Sequence, residues 1–175
     1  MKKFPKLFIT DIDGVWTDGG MYYDQTGNEL KKFNTSDSAG VLFLKYLKTP
    51  FAIITSENTE IVKRRAAKLN VEHLFQGVKD KVGKAAELCS MLNCDLKEIA
   101  FIGDDLNDIP LLLKVGYPAC PDNAPEYVKK HCKYITSKKG GEGAFREFVE
   151  IILRENDKLD FVISSHLKKI KDGIE

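Results

Sequence analysis

Short, almost wholly apolar runs alternate with helix-patterned segments along most of this chain. Leu7-Phe8-Ile9-Thr10, Phe51-Ala52-Ile53-Ile54-Thr55 and Ile99-Ala100-Phe101-Ile102-Gly103 read as buried strands, and Tyr117 to Cys120 and Tyr134-Ile135-Thr136 repeat the pattern more weakly. Between them apolar residues recur at helical spacing: Val41, Leu42, Leu44 and Leu47; Ile61, Val62, Ala66 and Leu69; Ala85, Leu88, Cys89 and Leu92; Phe145, Phe148, Val149, Ile152 and Leu153. Strands without a polar face, separated by helices, predict a parallel sheet covered on both sides. The expected architecture is a doubly wound, Rossmann-like α/β domain. One segment departs from the alternation. Gly20 to Tyr23 and Glu29 to Phe33 flank the turn-rich Asp24-Gln25-Thr26-Gly27-Asn28, which predicts a β-hairpin inserted within Val15 to Phe33. The domain is expected over residues 1–155. The tail, residues 156–175, carries Leu159, Phe161, Val162, Ile163, Leu167 and Ile170 among charges, and reads either as a terminal helix that docks or as a solvated end.

With 175 residues, the chain is sized for one domain with one core. Lys and Arg number 27 and Asp and Glu 26, so no strong field marks a nucleic-acid or membrane partner. The longest stretch free of those four residue types is eight residues, Thr49 to Ser56, too short to span a bilayer. The basic start Met1-Lys2-Lys3 is followed by an apolar stretch that ends at Asp11, too short for a signal peptide. Cys89, Cys94, Cys120 and Cys132 form no Cys-x-x-Cys pair and fit reduced, buried thiols in a cytoplasmic protein.

The chemistry-bearing residues gather after strands or at helix starts. Asp11-Ile12-Asp13-Gly14 follows the first strand, where open parallel sheets bind ligands. Two carboxylates so close repel, and a cation between them relieves the repulsion. Gly103-Asp104-Asp105-Leu106-Asn107-Asp108 brings a second acidic cluster after another strand. An N-cap accounts for one of its carboxylates but not three. Oxygen ligands of this kind suit Mg²⁺. Thr55-Ser56 offers a hydroxyl and main-chain N–H groups to an anion, and Lys81 stands at a helix start, where a cation opposes the helix dipole. Taken singly, each has an ordinary structural reading. Together they are the inventory for phosphoryl transfer through an aspartyl-phosphate.

The order Asp11-x-Asp13, Thr55, Lys81, Gly103-Asp104-x-x-x-Asp108 resembles the haloacid dehalogenase superfamily of phosphatases. Asp11 to Gly19, the hairpin, Gln76-Gly77 and Gly140-Gly141-x-Gly143-Ala144-x-Arg146-Glu147 resemble its cap-less group acting on 3-deoxy-2-keto sugar acid phosphates. The resemblance implies a phosphoric monoester hydrolase with no cap domain. It implies Asp11 as nucleophile and Mg²⁺ ligand, Asp13 as general acid/base with its carbonyl on the metal, and Asp104 as the remaining protein ligand. It further implies Thr55 and Lys81 as phosphate binders, Asp108 as an outer acid orienting water or Lys81, and Thr35-Ser36-Asp37-Ser38 near the substrate. It also implies a homotetramer whose hairpins form a central barrel.

The chain departs from the octulosonate 8-phosphate pattern at Thr55-Ser56-Glu57, where Thr-Gly-Arg is usual, and at Asp37-Ser38, where Asp-Gly is usual. Glu57, Arg65 and Lys68 resemble the subgroup acting on 2-keto-3-deoxynononate 9-phosphate. Glu57 can accept hydrogen bonds from sugar hydroxyls, and Arg65 and Lys68, one turn apart, can meet a substrate carboxylate. The expected substrate is therefore a nine-carbon nonulosonate 9-phosphate, with 3-deoxy-manno-octulosonate 8-phosphate as the alternative.

Overall fold

The structure, a computed structural model, describes residues 3–173; Met1, Lys2, Ile174 and Glu175, at the outer ends of the expected domain and tail, lie outside the described residues. In chain order the strands are β1 (Leu7–Thr10), β2 (Tyr22–Tyr23), β3 (Glu29–Leu30), β4 (Phe51–Ile54), β5 (His73–Phe75), β6 (Ile99–Ile102), β7 (Tyr117–Cys120) and β8 (Tyr134–Ile135). The helices are α1 (Asp37–Tyr46), α2 (Glu60–Lys68), α3 (Lys81–Leu92), α4 (Ile109–Leu112), α5 (Glu126–Lys129), α6 (Ala144–Glu155) and α7 (Leu159–Lys171).

Six strands make one parallel sheet in the order β5-β4-β1-β6-β7-β8. Phe8 pairs with Phe51 on one side of β1 and with Ala100 on the other. Every residue of β1, β4 and β6 is buried, which is why these strands read as continuous apolar runs rather than alternating ones. One face of the sheet packs Phe8, Ile53 and Tyr134 against α1, α2 and α6, through side chains such as Leu44, Val62, Phe145 and Phe148. The other packs Leu7, Ile9 and Phe101 against Leu88 of α3, Leu112 of α4 and Val128 of α5. Burying each large apolar side chain contributes about 1.5–3 kcal/mol, so the two layers are the main source of stability. The chain winds outward from β1 to β5, then returns to the far side of β1 to start β6. That reversal opens a crevice at the carboxyl ends of β1 and β6.

The doubly wound α/β expectation holds, and no cap domain interrupts the described residues. Edge strand β5 is an element that the sequence pattern did not signal; its residues His73, Leu74 and Phe75 are half-buried and lack an apolar run. The inserted hairpin is present but shorter than predicted. Only Tyr22–Tyr23 and Glu29–Leu30 pair as strands, while a single bridge between Thr17 and Phe33 closes its base. Its turn is held by Asp24, whose Oδ1 accepts from the Thr26 and Asn28 N–H groups at 2.8 and 3.0 Å. The tail forms α7, which packs on α1 and α6 through buried Val162 and a 3.0 Å hydrogen bond between Tyr46 Oη and His166 Nδ1. All four cysteines are free. No helix among the described residues is long and apolar enough to cross a membrane.

Candidate active site

β1 and β6 deliver the two acidic clusters to the crevice. The Asp11 N–H bonds to the Ile102 carbonyl at 3.0 Å, carrying the β1–β6 pairing one residue past the strands. Gly14 follows with φ +74°, and a Cβ there would stand 1.9 Å from Asp104 Oδ2. Glycine at this position is thus what lets the β6 acid reach the end of β1. Gly140 makes the second close approach, since a Cβ there would lie 1.9 Å from the Gly14 carbonyl oxygen. The loop before α6 thereby buttresses the Asp11–Gly14 turn.

Lys81 opens α3, and its ammonium stands 2.8 Å from Asp11 Oδ2 and 2.6 Å from Asp108 Oδ1, its side chain only 1% exposed. The unfavourable position at a helix start is offset by Asp80, whose carboxylate caps the helix by accepting from the Gly83 N–H at 2.9 Å. Asp108 is completely buried, and its other oxygen accepts from the main-chain N–H groups of Asp104 and Asp105 at 2.9 and 3.2 Å. With both oxygens engaged, Asp108 fixes Lys81 and the loop after β6. Thr55 is buried at the end of β4, with its N–H on the Phe75 carbonyl at 3.0 Å.

One oxygen from each of Asp11, Asp104 and Asp108 lies within 4.8 Å of the others. Electrostatics follow from that crowding. Burial, and then the Asp108 charge, push the Asp11 carboxyl up to about 6 against the pull of Lys81. Burial and the charges of Asp11, Asp108 and Asp105 push Asp104 up to about 8. Burial works against the Lys81 ammonium, but Asp11 and Asp108 outweigh it and hold its pKa above the ordinary lysine value. A site that strains to keep its carboxylates charged is one that a divalent cation stabilises.

These groups open onto a cleft of about 250 Å³ lined by Asp11, Asp13, Gly14, Gly19, Thr55, Ser56, Glu57, Asp104, Asp105 and Asn107. A larger cavity of about 350 Å³ lies by Pro50, Phe51 and His73, at the opposite ends of β4 and β5, and holds none of the acidic cluster. Of the residues singled out in the sequence, Asp11, Asp13, Thr55, Glu57 and Asp104 share the cleft, with Lys81 and Asp108 directly behind them.

The segment after the hairpin is placed differently from the expectation. Asp37 is fully buried and accepts from the Arg146 N–H at 3.0 Å, so it serves the first turn of α6 and presents no surface to a ligand. Burial pushes its pKa up to about 6. Arg65 donates through Nη2 to the Asn34 carbonyl at 3.1 Å and to Ser38 Oγ at 2.9 Å, and lies over the rings of Trp16 and Phe33. Its charge is directed inward, where it ties α2 to the hairpin base and α1, rather than outward to a substrate carboxylate. Ser38 is thereby engaged as well. Thr35 and Lys68 are exposed and Ser36 half-buried, and none of them lines the cleft.

Three contributors were not anticipated. Lys31 reaches Asp13 Oδ1 at 2.6 Å, Thr17 Oγ1 lies 3.4 Å from the same oxygen, and Asn107 Nδ2 donates to Ser56 Oγ at 3.0 Å across the cleft. Lys31 had one readable signal: it shares the two-residue alternation of Glu29 and Phe33, whereas neighbouring Lys32 falls on the other side.

Comparison with known proteins agrees with this geometry. The haloacid dehalogenase-like hydrolase family matches residues 17–148. The 3-deoxy-D-manno-octulosonate 8-phosphate phosphatase KdsC of Yersinia pestis is 39% identical over 155 residues, covering 89% of this chain and 83% of its own length. The corresponding phosphatase of Moraxella catarrhalis, solved with a magnesium ion, a phosphate ion and a KDO molecule, superposes with a TM-score of 0.88 at 36% identity, covering 93% of each chain. The cobalt-bound Haemophilus influenzae phosphatase gives a TM-score of 0.81 at 34% identity, covering 86% of this chain and 88% of that one. On the matched span, the shared fold and the acidic site at the sheet's switch point, this chain belongs to the haloacid dehalogenase-like hydrolases.

Proposed function

We propose that this chain is a Mg²⁺-dependent phosphatase of 3-deoxy-manno-octulosonate 8-phosphate, working in the cytoplasm through an aspartyl-phosphate at Asp11. The observation that carries the chemistry is Lys81 bound between Asp11 and Asp108, with Asp104 facing them across the switch point. The eight-carbon substrate follows the relatives, which are named for it and match nearly nine-tenths of the chain.

Mg²⁺ suits the donors present. Asp11 and Asp104 are carboxylates from separate loops, and the Asp11 charge helps to raise the Asp104 pKa; the Asp13 main-chain carbonyl would add a third oxygen. Bound there, the ion neutralises phosphoryl charge. Asp11 attacks phosphorus through a carboxylate oxygen, and the bond from phosphorus to the sugar oxygen breaks. Asp13 gives its carboxyl proton to that oxygen, releasing the sugar acid as an alcohol. A water then attacks the phosphorus of the acyl phosphate and passes a proton to Asp13. Inorganic phosphate leaves and the Asp11 carboxylate is restored. Lys81 keeps Asp11 ionised and oriented, and Thr55 with its neighbouring N–H groups binds the phosphoryl oxygens.

One observation favours the nine-carbon alternative: Glu57 lines the cleft and can accept hydrogen bonds from additional hydroxyls. The inward placement of Arg65 removes half of the basic pair on which that alternative also relied. Measuring kcat/KM for the 8-phosphate and a nonulosonate 9-phosphate side by side decides between them. A preference for the 8-phosphate is expected; a clear preference for the 9-phosphate reverses the assignment.

We also propose a homotetramer. What supports it is that Met21, Tyr22, Tyr23 and Leu30 on the hairpin are between 44% and 65% exposed, an apolar cluster that contact with further copies would cover.

A further inference from the structure

Asp13 is held in an asymmetric way. Its Oδ1 receives the Lys31 ammonium at 2.6 Å, with the Lys31 side chain only 4% exposed. The Thr17 hydroxyl lies 3.4 Å from the same oxygen. Thr17 Oγ1 already accepts from the Gly14 and Gly19 N–H groups, each at 3.3 Å, so its own proton is left to point at Asp13. Asp13 Oδ2, in contrast, is shut off from solvent and has no hydrogen-bond partner among the described residues. Asp13 borders the cleft beside Asp11. Lys31 comes from the inserted hairpin, one residue after β3, and Glu29 Oε1 lies 4.0 Å from its ammonium.

We propose that Lys31 is a positioning residue for proton transfer: from the hairpin it fixes the Asp13 carboxylate, through Oδ1, at the border of the cleft. The inference rests on the acid/base assignment of Asp13 and deepens it. An Asp side chain has two equivalent oxygens and a soft terminal torsion, and a general acid in the wrong orientation loses most of its benefit. Two donors on Oδ1 remove that freedom. The inserted hairpin thereby acquires a role inside the active site as well as on the surface.

The test is Lys31→Met, which keeps the apolar stem and removes the ammonium, with Lys31→Arg beside it. Both are measured on the sugar acid 8-phosphate and on p-nitrophenyl phosphate, whose phenolate departs without a proton. kcat/KM reports steps up to release of the leaving group. For the sugar phosphate it should fall by about 10- to 100-fold in Lys31→Met, a part of the roughly 10²- to 10⁴-fold that general acid catalysis supplies. For the aryl phosphate it should barely change, and Lys31→Arg should recover most of the loss. Placed on an Asp13→Ala background, Lys31→Met should add no further loss, because the two act as a unit. Equal losses on both phosphates, or a loss that adds to that of Asp13→Ala, would overturn the proposal by making Lys31 an ordinary hairpin anchor. Should Lys31→Met fail to fold, Lys31→Gln is read by the same comparison. Near-normal sugar phosphate turnover in Asp13→Ala would sink the acid/base assignment itself. Full activity in Lys31→Met with an inactive Asp13→Ala sinks only the role of Lys31.

Discussion

Asp11, Asp104 and Lys81 account for both the chemistry and the fragility of the site. Asp11→Asn should lower kcat by at least about 10³-fold with little change in fold, because an amide forms no acyl phosphate. A phosphate-release assay with deamidation excluded checks it. Asp104 yields a sharper test, since its carboxylate is raised to about 8 and Asp11 to about 6 in the metal-free protein. Both folded values exceed the unfolded ones, so folding takes up protons, and stability from these groups is lost as pH rises from about 4 towards 8. Added Mg²⁺ should therefore raise the melting temperature more at about pH 8 than at about pH 5.5, where protons compete for the ligands. Asp104→Asn should raise the metal-free melting temperature at the higher pH, remove the Mg²⁺ shift and abolish turnover. An unchanged Mg²⁺ shift in that variant would take Asp104 out of the metal site. In the sequence these acids were legible because each follows a buried strand that cannot itself hold a charge. Lys31 was legible only by its face, from the alternation with Glu29 and Phe33; its contact with Asp13 depends on the hairpin folding back over that residue.

Among the elements, α6 shows how a residue near the site can be structural. Its N-cap is Gly143, which has no side-chain cap, and Asp37 at the start of α1 supplies the missing acceptor from within the core. Asp37→Ala should cost about 1–2 kcal/mol by chemical denaturation, in the range of a lost helix cap, and leave KM for the sugar phosphate unchanged. A selective rise in KM with full stability would return Asp37 to the substrate site. The major strands and helices were legible because their apolar spacing matches their burial: β1, β4 and β6 on both faces, and α6 along one stripe ending in Phe148, Val149, Ile152 and Leu153. β5 was not, because an edge strand of three half-buried residues carries no such signature. Neither was the inward turn of Arg65, since helical spacing gives the face of α2 but not which neighbour covers it.

For the whole molecule, the parallel order β5-β4-β1-β6-β7-β8 puts the catalytic loops at the carboxyl ends of the strands, and no cap among the described residues covers the cleft. The exposed hairpin tip and the exposed Phe161, Leu167 and Ile170 of α7 are the apolar surfaces that an assembly can cover. Light scattering should give a tetramer for the full chain, and Tyr23→Asp with Leu30→Asp should shift it to smaller species. A monomeric wild type with full activity would contradict the proposed assembly. The central claim is the covalent role of Asp11, and rapid quenching during turnover of the 8-phosphate tests it most directly. Borohydride reduction of the quenched enzyme converts an aspartyl-phosphate to homoserine, which peptide mass spectrometry locates. Homoserine should replace Asp11, and only in enzyme quenched with substrate and Mg²⁺. Active turnover with Asp11 unmodified, or with the label on another residue, would contradict the account.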